Sequence, residues 1–386
     1  MREGWTYKKL GEVCESDLGK TLNSSKDTGE MRPYLCAINI LWDKIDFTTL
    51  KQTRFEESEL ERYTVRKGDL LICEGGEIGR AAIWDKDYSI QYQNALHRVR
   101  FTDGIAPRFC LYFFMHLKKS GILDGRYGKG VTIKHLVKSS LMSIPIPVAP
   151  IENQLSIVAE LDKINELISL KKAQLSDLDS LAQSIFYDMF GDPIENEKGW
   201  EVKKLGEIAV DKLSYGSGAS AINYNGETRY VRITDINDNG ELDDNKVSPS
   251  TIDEKYLLKD GDILFARSGA TVGKTFLYTS KYGRCIYAGY LIRYIPDRNK
   301  VIPNYVLGLT KTHYYKSFIE STRRAVAQPN INAKQYGELR IPLPPLSLQQ
   351  EFAKRIELIE QQKTQISSTI KDLETLLASR MQYWFD

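Results

Sequence analysis

Gly4-Trp5-Thr6-Tyr7-Lys8-Lys9-Leu10-Gly11-Glu12-Val13 returns later in the same chain as Gly199-Trp200-Glu201-Val202-Lys203-Lys204-Leu205-Gly206-Glu207-Ile208. Repetition with a period near 195 residues decides the fold, because it makes the chain two copies of one plan. Further anchors recur in the same order. Lys67-Gly68-Asp69-Leu70-Leu71 is matched by Asp260-Gly261-Asp262-Ile263-Leu264. A glycine-rich turn closed by a cation follows each, Gly75-Gly76-Glu77-Ile78-Gly79-Arg80 and Ser268-Gly269-Ala270-Thr271-Val272-Gly273-Lys274. Each half then approaches its end through a proline signature, Ile144-Pro145-Ile146-Pro147 and Ile341-Pro342-Leu343-Pro344. Between the anchors the halves differ widely, so the framework is shared and the filling is not.

The proline signatures predict the start of a helix, where Pro is tolerated. From there apolar residues fall at heptad spacing: Ile157, Leu161, Ile164, Ile168, Leu175, Leu178, Ala182, Ile185 and Met189, broken at Lys171. The second half repeats the pattern with Phe352, Ile356, Ile359, Ile366, Ile370, Leu373 and Leu377, broken at Lys363. Two matched stripes of about five heptads predict a pair of long antiparallel helices packed on each other, the alternative being that each helix lies on its own globular core. Short segments such as 69–73, 81–84, 263–266 and 275–278 are rich in Ile, Leu, Phe and Tyr and bounded by Gly or Asp, which predicts strands. The expected fold is therefore α+β. Strand-rich domains at 1–150 and 193–345 alternate with coiled-coil helices at 151–192 and 346–386, as a pseudo-twofold repeat.

Composition bounds the function. The 386 residues are 42% hydrophobic and 27% charged, the profile of a soluble globular protein. No apolar run is long enough to span a bilayer, and the N-terminus lacks the apolar core of a signal peptide. Five scattered cysteines and four dispersed histidines predict neither disulfides nor a metal site, and fit a reducing cytoplasm. The net charge of +2 is partitioned: +4 over 1–150, −4 over 151–190, +3 over 191–345 and −1 over 346–386. Any polyanion is therefore expected on the two globular parts. The tails also match, since Phe186-Tyr187-Asp188-Met189-Phe190-Gly191-Asp192 resembles the end Met381-Gln382-Tyr383-Trp384-Phe385-Asp386. Joining the C-terminus to Gly4 would nearly reproduce the middle junction, so the two ends are expected to lie close together.

The doubled Gly-Trp-x-x-x-Lys-Leu-Gly-Glu, the doubled Gly-Asp-Ile/Leu-Leu, the two Pro-x-Pro signatures before helices and the junction from Phe190 to Pro193 resemble the specificity subunit of type I restriction–modification systems. The resemblance covers essentially the whole chain. It implies two target recognition domains, each joined to one helix, that read a bipartite double-stranded DNA target. It also implies docking of two methyltransferase subunits, a motor–nuclease restriction subunit in many systems, and no cofactor or catalysis in this chain. Two different domains read two different half-sites, so the target is expected to be asymmetric. A 40-residue helix is roughly 60 Å long, which caps the half-site separation at roughly 17 base pairs.

Phosphate contacts need cations, and base reading needs Arg, Lys, Asn or Gln at groove edges. The candidates are loop residues near glycines: Arg80 and its counterpart Lys274, Arg267, and the run Arg126, Lys129 and Lys134. In the second half Arg323, Arg324, Gln328 and Asn330 occupy the corresponding stretch, and Gln91 and Gln93 are further options for adenine. Each has a bland alternative as a solvated surface charge.

Other functions fit less well. Ser268 to Thr275 nearly spells a phosphate-binding loop, but Ser stands where the first Gly is required. The only Pro-Pro, Pro344-Pro345, is followed by Leu346 and not by the aromatic residue of a methyltransferase loop. Asp192 with Glu201 and Lys203 suggests a nuclease, yet Lys203 repeats Lys8, which has no acidic pair. A specificity subunit of a fused methyltransferase–nuclease and a coiled-coil adaptor that binds only proteins remain open.

Overall fold

The computed structural model describes residues 4–386 apart from 24, 26, 103, 131–133 and 325–329. The chain divides into two compact units, Met1–Lys171 with Thr369–Asp386 and Lys172–Ser368. Its helices are α1 (Glu57–Tyr63), α2 (Pro107–Lys119), α3 (Lys138–Met142), α4 (Ile151–Phe190), α5 (Pro303–Leu309), α6 (His313–Arg324), α7 (Ala333–Gly337) and α8 (Leu346–Phe385). The unit boundary falls inside α4 and α8. Unit 1 therefore holds the start of α4 and the end of α8, and unit 2 holds the reverse.

The repeated motifs are framework in both units. Thr6–Lys9 pairs with Pro145–Val148, and Glu201–Lys204 pairs with Arg340–Leu343, so the opening motif of each half is closed by its proline signature. The prolines thus lie in a two-stranded ribbon, where a missing N–H is tolerated. The helices start after them, behind Pro150 and Pro345. In the motif itself, Glu12 and Glu207 accept from the backbone N–H of Lys9 and Lys204 at 2.7 and 2.9 Å. Asp69 and Asp262 of the Gly-Asp segments accept from the N–H of Arg66 and Lys259, and each also takes an arginine from a neighbouring strand. Arg100 meets Asp69 at 2.6 Å, and Arg293 meets Asp262 at 2.6 Å. Both arginines are in this way paired within their own domain.

In unit 1 the strands Cys14–Leu18, Leu96–Phe101, Leu70–Cys73 and Ala81–Ile83 form one antiparallel sheet. In unit 2 Ser214–Tyr215, Leu291–Tyr294, Ile263–Ala266 and Thr275–Leu277 form its counterpart. A parallel pair accompanies each, Glu30–Leu35 with Ile90–Tyr92 and Arg229–Val231 with Cys285–Tyr287.

Burial along the helix stripes is graded, and Ile157, Leu161 and Phe352 join the cores of the domains. Ile157, Leu161, Ile164, Ile168, Phe352, Ile359 and Ile370 are buried, and Leu175, Leu178, Ile185, Ile356, Ile366, Leu373 and Leu377 are half-buried. Within unit 2, Phe352 packs on Phe186 and Phe190, and Lys363 reaches Asp179 at 2.9 Å. As the index falls on one helix it rises on the other, so the pair is antiparallel. Lys363, which interrupts the stripe in sequence, lies in this seam with an ammonium held by Asp179 and by Glu360 at 3.1 Å. Within unit 1, Glu160 takes the Arg380 guanidinium and accepts from the Trp384 indole at 3.0 Å. Trp5 and Phe385 both pack on Phe109, at 5.9 and 5.3 Å, so the two ends of the described chain share one core.

Candidate nucleic-acid interface

A glycine-rich turn follows the central strand of each sheet, and the same backbone bonds shape both turns. The N–H of Cys73 donates to Arg80 and that of Gly79 to Cys73; the N–H of Ala266 donates to Lys274 and that of Gly273 to Ala266. Gly79 and Gly273 have φ of +77° and +90°, in the left-handed region that glycine enters without strain. A Cβ at Gly79 would also stand 2.5 Å from Leu123, and one at Gly273 would stand 2.9 Å from Ile319.

The cations that close these turns are pinned. Arg80 donates to the carbonyl of Ala37 at 2.8 Å and pairs with Glu77 at 3.4 Å. Lys274 donates to the carbonyl of Ile236 at 3.1 Å and pairs with Asp238 at 2.8 Å. Both tie the turn to the segment behind the parallel strand, so the resemblance to a phosphate-binding loop ends there. Thr275, where such a loop needs its metal-binding hydroxyl, is buried in a strand and bonded to Thr310.

At the mouth of each turn one residue is framed identically. In unit 1 the N–H of Glu74 donates to Ala95 at 3.0 Å, and its carbonyl accepts from Leu136 at 2.7 Å. In unit 2 the N–H of Arg267 donates to Tyr290 at 3.1 Å, and its carbonyl accepts from Ile331 at 2.8 Å. The residues before Leu136 and Ile331, His135 and Asn330, are exposed beside the framed position. Arg267 donates through Nε to Asn330 Oδ1 at 3.2 Å, and its guanidinium lies 4.6 Å from the ring of exposed Tyr215. In unit 1 the imidazole of His135 lies over Gly75, where a Cβ would come within 3.3 Å of the ring. Burial raises the pKa of the Glu74 carboxyl, and His135 opposes that shift.

The remaining candidates sort by exposure. Arg126 and Lys129 are exposed, with Arg126 over Tyr127 and Lys129 in a two-way backbone bridge with His135. Lys134 is half-buried and donates to the carbonyl of Asp124. Gln93 is half-buried beside Lys20. Gln91 sits within a strand, is buried and donates to Thr64 at 3.3 Å, so it presents no amide to a groove. Arg323 and Arg324 end α6. Gln328 lies outside the described residues. The sequence reading names Arg267 and Asn330, and the fold places Glu74, His135, Tyr215 and Tyr290 at the same two framed positions. The signal that finds them is positional, since Glu74 follows one repeated anchor as Arg267 follows its twin.

Among the described residues no cluster of His, Cys, Asp and Glu could hold a metal ion, and no helix is long and apolar enough to cross a membrane.

Comparison with known proteins agrees with this duplication. The sequence model of the family described as "Type I restriction modification DNA specificity domain" matches residues 2–179 and again 197–375. The chain is 24% identical to the putative type I restriction enzyme MjaX specificity subunit of Methanocaldococcus jannaschii, over 97% of this chain and 93% of that one. It is 22% identical to the type I restriction enzyme StySPI specificity subunit of Salmonella potsdam, over 92% and 82%. In fold it is similar to a crystallised type I restriction–modification S subunit from M. genitalium, with TM-score 0.57 and 15% identity over 99% and 96% of the chains. A chain from a structural study of complex assembly and conformational transition in the type I R-M system gives TM-score 0.63 at 18% identity, over 100% and 98%.

Proposed function

Because the chain belongs to the type I restriction–modification DNA specificity family and carries its domain twice, we propose that its two strand-rich domains each read one half of an asymmetric, bipartite DNA target. The specificity subunit is the non-catalytic member of its complex, so methyl transfer belongs to partner subunits. The observation that carries the proposal is the preserved frame with changed filling. The backbone bonds around Glu74 and Arg267 are the same, while the side chains they present are opposite in charge. A duplicated scaffold with divergent contact residues suits two different half-sites. The helices α4 and α8, 40 residues each, supply the spacer and the docking surface for two methyltransferase subunits, with a restriction subunit joining where the system has one.

The test is to express the chain with its neighbouring methyltransferase in a methylation-free host and map modified bases genome-wide. A two-part asymmetric motif with a fixed gap, absent when this chain is omitted, is the expected result. Methylation at a continuous site, or methylation independent of this chain, would refute it.

Cations are proposed for the phosphates: the exposed Arg126 and Lys129 in unit 1, and Arg323 and Arg324 at the end of α6 in unit 2, with Lys134 and Gln93 as further candidates. Arg80 and Lys274 act behind them by holding the turns. Lys129→Ala is therefore expected to lower the slope of log affinity against log salt by about 1. Arg80→Ala is expected to leave the slope unchanged and to lower thermal stability instead. Binding titrations of the assembled complex at several salt concentrations, with a melting curve of each variant, separate the two roles.

A further inference from the structure

The framed position at the mouth of each turn says more than that the halves differ. In unit 2 the Nε of Arg267 is held by Asn330 at 3.2 Å and its plane lies over Tyr215. Two contacts from different segments fix the rotamer. Among the described residues neither η nitrogen of Arg267 has a partner, and an arginine with both η nitrogens free presents the fork that matches O6 and N7 of guanine. In unit 1 the same backbone frame presents a carboxylate. Among the described residues no hydrogen-bond donor meets it, and the imidazole of His135 stands beside it in the place of Asn330. A carboxylate only accepts, so it needs a base edge that offers an amino proton. Cytosine offers N4–H without a neighbouring acceptor of its own, whereas adenine sets the N7 lone pair beside its amino group, which a carboxylate repels.

We propose that this position is the principal base-reading point of each domain, with Arg267, held by Asn330 and Tyr215, reading a guanine in one half-site, and Glu74, beside His135, reading a cytosine in the other. The assignment rests on the reading of the chain as a DNA specificity subunit and gives it a chemistry at two named positions. Neither unit needs the other for its own contact, so each is testable with the other as internal control.

The experiment uses this chain assembled with its cognate methyltransferase, with target discrimination read from mapped methylation and from binding to defined duplexes. Arg267→Gln is expected to shift one guanine position toward adenine, since Gln pairs with adenine N6 and N7, and to reduce discrimination for guanine there by about tenfold to a hundredfold. Glu74→Gln is expected to relax one cytosine position in the other half-site by a similar factor. In each variant the untouched half-site shows that the protein is folded and assembled. Native complex gives a second readout that needs no variant. A 7-deazaguanine scan, which removes N7 one guanine at a time, should cost about tenfold in affinity at a single position, and that cost should vanish in Arg267→Gln. Should Glu74→Gln fail to assemble, Glu74→Asp, which keeps the charge but withdraws it by one methylene, should weaken the same cytosine position. Variants that assemble and modify DNA with every position read as before overturn the assignment and leave DNA reading intact. Loss of any dependence of the motif on this chain would instead refute the reading beneath it.

Discussion

Inserting seven residues between Lys171 and Lys172, and seven more between Ser368 and Thr369, is expected to widen the gap of the target by about three base pairs without altering either half-site. Both insertions fall where the chain divides into its two units. Seven residues add about 10.5 Å of helix, equivalent to about three base pairs at 3.4 Å each. Seven is the right number because it preserves the 3.5-residue period, so the buried stripe continues across the insertion in register. Four residues would add about 6 Å but leave the stripe about half a residue out of phase with the seam. An insertion in one helix alone would strand its partner and should abolish assembly. Three extra base pairs also rotate the far half-site by roughly 100° about the duplex axis, given about 10.5 base pairs per turn. The new target should therefore bind more weakly than the old, with DNA deformation absorbing part of the mismatch. Mapped methylation reads the gap directly. An unchanged gap in an active double insertion would remove the ruler role from α4 and α8.

How much of this was legible in the sequence follows from which interactions are local. The duplication, the strand-rich halves and the helix pair could be read because they rest on spacing along the chain, as with Ile157, Leu161, Ile164 and Ile168. Lys363 read as a break in that pattern, and only its approach to Asp179 shows a charge accommodated in the seam. The candidate interface is legible in the sequence as loops and not as contacts. Arg267 and Asn330 are both candidates by residue type, but they lie 63 residues apart and nothing in the sequence joins them. Arg80 and Lys274 read as loop cations, and the carbonyls of Ala37 and Ile236 that hold them are invisible to any residue pattern. Gln91 failed because a polar residue inside a short strand faces inward when its neighbour, here Thr64, can satisfy it. Positive charge does not mark a carboxylate such as Glu74, although base edges also offer protons that an acceptor can read.

Replacing Gln154 by Met is expected to destabilise unit 1 by about 4 kcal/mol, and replacing Gln349 by Met to do nearly the same in unit 2. Both glutamines lie in the first turns of the long helices, are completely buried, and make matching bonds. Gln154 accepts from the N–H of Ala106 at 2.9 Å and donates to the carbonyls of Gly104 and Ala149 at 2.9 and 2.8 Å. Gln349 accepts from the N–H of Ile302 at 2.8 Å and donates to Pro344 at 2.8 Å and to Lys300 at 3.4 Å. Ala106 and Ile302 immediately precede α2 and α5, where no side chain caps the helix, so one amide both caps a helix of the domain and fastens the long helix to it. Methionine fills the space but leaves the N–H of Ala106 and the carbonyl of Ala149 buried without this partner, each costing about 1–3 kcal/mol, and the part-buried carbonyl of Gly104 loses its bond as well. Glutamate is no rescue, because a carboxylate can accept from Ala106 but cannot donate to the two carbonyls and would be buried charged. For units of this size 4 kcal/mol corresponds to a fall of roughly 10 °C in melting temperature. Gln361→Met, at an exposed position on α8, should change stability by less than about 0.5 kcal/mol. Calorimetry of the three variants also asks whether the units melt separately. If Gln154→Met lowers one transition and Gln349→Met the other, each long helix is fastened to its own domain by its own glutamine. A single transition that moves equally in both variants would mean that α4 and α8 bind the whole chain into one cooperative block, and a melting point unchanged by either would show that water replaces the lost amide.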